Sequence, residues 1–128
     1  MIDDMGTFRT DIEIESLTRP GDRRRVPAAL VDTGAELSWI PAHVLESLGI
    51  PRRKRIRFQQ ATGAVIERWA GPALVYAGGA STVDEVVFAE PGDLVLLGAH
   101  SLEGLNLFVD PMRKTLVDAG PMLGAAAV

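Results

Sequence analysis

Cysteine is missing from all 128 residues. Its absence excludes a disulfide framework, a thiolate nucleophile and a zinc site built on cysteine sulfur. Histidine occurs only at His43 and His100, and neither has a second His or an acidic trio at ligand spacing, so no metal and no cofactor is expected. Aromatic residues make up 5% of the chain, too few for a base-stacking surface. No apolar run approaches the roughly 20 residues that cross a bilayer. The start, Met1-Ile2-Asp3-Asp4-Met5, is acidic and lacks the basic and apolar regions of a secretory signal, so a cytoplasmic protein with no membrane partner is the expectation. No serine stands in a nucleophile-elbow pattern, and Gly78-Gly79 lacks the Lys-Ser/Thr that a phosphate loop requires.

What is present points to strands and turns. The hydrophobic fraction is 47%, with 13 glycines and 8 prolines, which suits one domain over residues 1–119 followed by a small apolar tail at 120–128. The formal charge of −4 argues against general nucleic-acid affinity. The basic runs Arg23-Arg24-Arg25 and Arg52-Arg53-Lys54-Arg55-Ile56-Arg57 read as solvated strand faces offsetting Asp and Glu elsewhere, so no nucleic-acid partner is expected.

Apolar and polar residues alternate from Thr7 to Leu17, which predicts a half-exposed strand. Arg19-Pro20-Gly21-Asp22 is a turn, and the chain returns through Val26 to Val31. Leu37 to Ile40 reads as a short strand and Pro41 to Leu48 as a helix, with proline at its first position and Gly49 past its end. A charged-faced strand follows to Phe58. Gln59-Gln60-Ala61-Thr62-Gly63-Ala64 then forms a hairpin tip before Val65 to Trp69. Pro72 to Tyr76 and Ser81 to Phe88 predict a second hairpin around Gly78-Gly79. Leu94 to Gly98 reads as a strand buried on both faces, and Ala99 to Leu105 as a short helix. Asn106 to Val109 and Thr115 to Val117 are short strands around Asp110-Pro111.

The residue that carries chemistry is Asp32, at the end of the apolar run Leu30-Val31 and ahead of Thr33-Gly34-Ala35. Two readings stand side by side. The acid can cap the backbone amides that follow it, as Asp does in turns. Alternatively, it can be a general acid or base whose proton affinity is tuned at the tip of a buried strand.

The D-T-G-A motif at Asp32, the glycine-tipped hairpin at Gly63 and the later Leu96-Leu97-Gly98 together resemble the single-domain, retropepsin-like aspartic proteases, over about Thr7 to Val117. The helix at Pro41 to Leu48 and the segment Leu96 to Leu102 followed by Leu107-Phe108-Val109-Asp110 look most similar to the protease domain of the DNA-damage-inducible ubiquitin-shuttle proteins.

The resemblance implies an all-β chain with one or two short helices, a closed barrel of one lobe per chain, and an active site at the two-fold axis of a homodimer. It implies an aspartic endopeptidase acting on an extended peptide or unfolded protein, with the two copies of Asp32 sharing a proton and activating water. Paired carboxylates in aspartic proteases are the standard example of such sharing. By resemblance, Thr33 bonds across the dimer, Gly34 lets the two loops approach, and Ala35 completes the loop. Glu36, Leu37, Trp39, Ala61, Thr62, Gly63, Ala64 and Leu97 are the expected substrate-binding residues, the hairpin at Thr62 and Gly63 being the flap.

Asp118, in Leu116-Val117-Asp118-Ala119-Gly120, echoes the first motif, but Ala119 lacks the hydroxyl of Thr33, so it is read as a chance likeness. The chain departs from the family at Ala99 and His100, where relatives carry a basic or an acidic residue, and Glu36 is expected to lack its usual partner. That departure leaves an alternative function, a catalytically weak or inactive module of the same fold that dimerises and binds peptides.

Overall fold

The structure is a computed structural model and describes residues 7–124. The acidic start and the last residues of the apolar tail lie outside the described residues. Strand β1, Phe8–Glu15, buries Ile12 and Ile14 on one parity and exposes Arg9 and Asp11 on the other. It pairs antiparallel with β2, Arg23–Asp32. After the D-T-G turn come β3, Ser38–Pro41, and helix α1, Ala42–Ser47. Pro41 caps that helix from an extended conformation, φ −51° and ψ 131°, and so ends β3 instead of opening the helix.

Strands β4, Lys54–Gln59, and β5, Val65–Ala77, make the hairpin whose tip carries Gly63. Strand β6, Ala80–Ala89, returns from the Gly78-Gly79 turn. Then follow β7, Leu96–Gly98, helix α2, Ala99–Gly104, and the strands β8, Leu107–Asp110, and β9, Thr115–Asp118.

Six strands close on themselves in the order β1-β2-β7-β3-β6-β5, because β5 pairs with β1 through Leu74 to Tyr76. Closure leaves these strands no free edge to manage. Strand β4 stands outside the ring on β5, and β8 with β9 forms a separate two-stranded sheet. The core is filled by Ile12, Ile14, Val31, Ile40, Leu45, Leu48, Val75, Val86, Phe88 and Leu97. This closed, one-lobed barrel is the architecture that the resemblance implies. No helix among the described residues is long and apolar enough to cross a membrane.

Two elements differ from the sequence reading. Val65 to Trp69 and Pro72 to Tyr76 are one continuous strand, not two. Gly71 is needed there because any side chain would strike the Pro51 carbonyl, and Pro72 falls where β5 has left β4 at Ala70 and not yet met β1 at Leu74. The apolar run Leu94 to Gly98 is buried only from Leu96 onward, Leu94 being 55% exposed.

Candidate active site

Asp32 is the last residue of β2, and the parallel ladder with β7 sets it opposite Gly98. Val31 is buried in the core, whereas Asp32 is only partly buried and Thr33 and Gly34 are exposed. The acid therefore stands just beyond the barrel's packed end and not inside it. Its Oδ1 accepts the Gly34 amide at 2.9 Å, and its carbonyl accepts the Ala35 amide at 3.2 Å. The turn-capping role is thus real, and it occupies one carboxylate oxygen. Oδ2 accepts no hydrogen bond among the described residues. A Cβ on Gly34 would lie 3.2 Å from Oδ1, so glycine keeps the carboxylate uncrowded.

The loop after Asp32 is anchored from α2. Ala99 donates its amide to the Ala35 carbonyl at 2.8 Å, and His100 donates to the Glu36 carbonyl at 2.9 Å. Gly98 packs so tightly under this loop that a Cβ there would lie 2.5 Å from the Leu37 carbonyl oxygen.

Asp32 lines a cleft of about 830 Å³ together with Gly34, Ala35, Glu36, Leu37, Trp39 and Ala61. Ile56, Phe58 and Ile66 of the β4–β5 hairpin and Leu94 and Leu96 add apolar wall. Trp39 and Phe58 meet with ring centroids 4.9 Å apart, joining the strand after the Asp32 loop to the hairpin. Asp93, on the far rim, is held by Arg68 of β5 through two bonds of 2.7 and 2.9 Å. Its proton affinity is lowered by these hydrogen bonds from Arg68, and the amide of Glu90 adds to the effect. The side chain of Glu36 makes no hydrogen bond or ion pair among the described residues.

Thr62, Gly63 and Ala64 sit at the exposed hairpin tip, outside the cleft's lining. The tip is closed by the Gly63 amide on the Gln60 carbonyl at 2.8 Å, with Gly63 at φ +91°. Leu97 differs from expectation. It is fully buried in the core, and Leu96, of opposite parity on β7, lines the cleft. Asp118 lies on β9 in the separate sheet, where it caps the Gly120 amide.

A smaller cavity of about 510 Å³ lies along β1, β2 and the β5–β6 turn. Its charges neutralise one another, Arg23 with Glu13 and Glu15, and Arg25 with Asp11. Among the described residues no group of three or more His, Cys, Asp or Glu could hold a metal ion.

A family model described as "gag-polyprotein putative aspartyl protease" matches residues 23–104, which include Asp32, the hairpin and β7. The chain belongs to this aspartyl protease family. Among solved structures, the chain matches the solution structure of simian foamy virus (mac) protease with a TM-score of 0.50 and 19% identity, over 74% of this chain and 91% of that one. At that identity the likeness establishes the barrel fold. Comparison with curated proteins gives no match.

The sequence reading missed Arg68, Asp93, Asp84, Ser38 and Ser101. Asp84 carried a signal, since it shares the buried parity of β6 with Val86 and Phe88.

Proposed function

We propose that the chain is an aspartic endopeptidase whose working unit is a homodimer, with the domain at residues 1–119 supplying one Asp32 to a shared site. The observation that carries this reading is Asp32 in the wall of an 830 Å³ cleft, with one oxygen unbonded among the described residues and with the adjoining Thr33-Gly34 exposed. Hydrolysis of an amide by water needs one group to accept a proton and another to donate one. Among the described residues the other carboxylates lining the cleft are Asp93, which is bound to Arg68, and Glu36, which is exposed on the loop and does not end a strand as Asp32 does; Asp118 is on another sheet. A second copy brought up by a two-fold axis through the exposed loop would place Asp32 beside its own image, because such interfaces are self-complementary.

Two carboxylates so placed share one proton, so one acts as base towards water while the other protonates the carbonyl oxygen of the substrate. Thr33 and Gly34 would form the contact between the loops. The substrate would lie extended in the cleft as an added strand, its side chains alternating between pockets. Leu37, Trp39, Ile56, Phe58 and Leu96 make those pockets apolar, and the hairpin tip Ala61 to Ala64 would close over the peptide and exclude water.

The test is Asp32→Asn. It should abolish cleavage of an unfolded protein or peptide library while the dimer remains folded, and cleavage by the variant would overturn the reading. Activity should be bell-shaped in pH, since the singly protonated pair is the working state.

A further inference from the structure

Five polar side chains are buried in the described residues, and three of them, Ser38, Asp84 and Ser101, form one chain beside β7. The Gly98 amide donates to Ser38 Oγ at 2.9 Å. The Ser38 and Ser101 hydroxyls are 2.6 Å apart, and Ser101 donates to Asp84 Oδ2 at 2.6 Å. Because the Ser101 hydrogen goes to Asp84, the hydrogen between the two serines comes from Ser38. Every donor therefore points the same way, and the relay ends on a carboxylate. Asp84 Oδ1 accepts the Glu85 amide at 2.7 Å and pairs with His100 Nδ1 at 2.6 Å. Each hydrogen bond in such a chain polarises the next, and an unmet acceptor in the interior would be costly.

This relay joins β3, β7, α2 and β6 at the point that holds Asp32. Gly98 is the register partner of Asp32, and His100, at the other end of the relay, gives its own amide to the Glu36 carbonyl. Ser101 is fully buried and donates to Asp84 and not to the imidazole, so the Ser, His and Asp here are not a nucleophilic triad.

We infer that Asp84 is a positioning residue for Asp32, acting through Ser101, Ser38 and the Gly98 amide, with His100 paired to its other carboxylate oxygen. The inference rests on the peptidase reading above. The charged groups facing His100 are Asp84 from β6 and Glu103 on its own helix. Glu36 contributes its carbonyl from the loop, β3 and β7 bring no ionisable side chain, and Glu85 is engaged by Arg53. The hydrogen bond and charge of Asp84 raise the proton affinity of His100, and Glu103 adds to this. A raised histidine stabilises the fold fully below its unfolded value of about 6.5 and ceases to do so as pH rises through its folded value.

The test measures kcat, KM and thermal midpoint against pH on the full chain. Asp84→Asn should lower kcat by about ten- to a hundred-fold with KM little changed, since small displacements of a reacting group are costly. Ser38→Ala, which removes the acceptor of the Gly98 amide and the donor to Ser101 while leaving Asp84 in place, should lower kcat in the same sense if Asp84→Asn fails to fold. The thermal midpoint should fall as pH rises above about 6.5, and His100→Asn, which keeps a donor without a titrating charge, should remove that step. Full kcat per folded chain in both Asp84→Asn and Ser38→Ala would overturn the inference, as would an unchanged step in His100→Asn. Asp32→Asn should be inactive yet keep the step. If the wild type cleaves nothing at any pH, the peptidase reading fails, while the step in Asp32→Asn still reports separately on the Asp84–His100 pair.

Discussion

Gly98 lies directly opposite Asp32 in the parallel β2–β7 ladder, and the space for a side chain at Gly98 is filled by the carbonyls of Leu37 and Ala35. Backbone oxygens of an anchored loop cannot step aside as a flexible side chain would. Gly98→Ala should therefore cost about 3 kcal/mol or more of stability, in the range of overpacked, strained sites. It should also abolish cleavage in whatever fraction folds, because the loop that moves is the one bearing Asp32. Urea unfolding and a peptide assay on the same preparation check both.

The neighbours Leu96 and Leu97 separate binding from stability. Leu97 is fully buried in the core, and Leu96 lines the cleft. Leu97→Ala should lose about 2–5 kcal/mol of stability, as buried leucines do. Leu96→Ala should lose less and chiefly raise KM for substrates with apolar side chains, which steady-state kinetics will show.

Period-2 alternation was enough to read β1 and β4 from the sequence, β2 was legible from Val26 onward as the return from the Arg19–Asp22 turn, and the D-T-G and Leu-Leu-Gly motifs were legible because each is contiguous. What escaped depended on partners distant in the chain. Gly71-Pro72 looks like a break, yet β5 runs through it, because the glycine answers the Pro51 carbonyl and not a turn. Leu94 reads as core, but its exposure is decided by the cleft it borders. The clip between Arg68 and Asp93 and the relay from Gly98 to Asp84 span different strands, so no local pattern announces them. Only the acid at Asp84, on the parity of Val86 and Phe88, stands out as polar on an apolar face. The basic run was legible in kind, as charges offset by acids elsewhere, and the structure supplies the partners: Arg52, Arg53 and Arg55 are paired with Glu46, Glu85 and Glu67.

The Arg68–Asp93 pair should make stability pH-dependent at the acid end. Hydrogen bonds from Arg68 lower the proton affinity of Asp93. Such a group stabilises the fold above its unfolded value of about 3.9 and ceases to do so as pH falls through its lower folded value. Both side chains are mostly buried, at 16% and 13% exposure. Asp93→Asn should therefore lose about 2 kcal/mol at pH 7, the scale of charge-assisted hydrogen bonds. The wild type and the variant should begin to converge as pH falls below about 4 and meet only below the lowered folded value of Asp93. Denaturant unfolding at pH 7, 5 and 3 tests this.

Trp39 lines the cleft against Phe58, whereas Trp69 lies outside it under Arg55. A transition-state-mimicking aspartic protease inhibitor should change tryptophan emission through Trp39 alone. Trp39→Phe should remove the change, and Trp69→Phe should keep it. Phe58→Ala should weaken inhibitor binding by about 1 kcal/mol or more, the value of an aromatic pair plus its buried area.

The number of Asp32 residues needed per site can be counted by mixing. Wild type and Asp32→Asn differ by one exposed-edge atom group and should exchange freely into mixed dimers, because an isologous interface treats both copies alike. If one carboxylate from each chain is required, an equal mixture at equilibrium holds active wild-type pairs in only about a quarter of its dimers, since random pairing draws two wild-type chains that often. If a single chain hydrolyses peptides by itself, the same mixture keeps about half the activity of wild type at the same total concentration, because the variant then merely dilutes it. Dilution supplies the independent check. A site shared between chains loses specific activity as total protein falls below the dimer dissociation constant, whereas a site within one chain does not. A quarter-activity mixture together with activity lost on dilution assigns half a site to each chain, and half-activity with no dilution effect assigns a whole site to one.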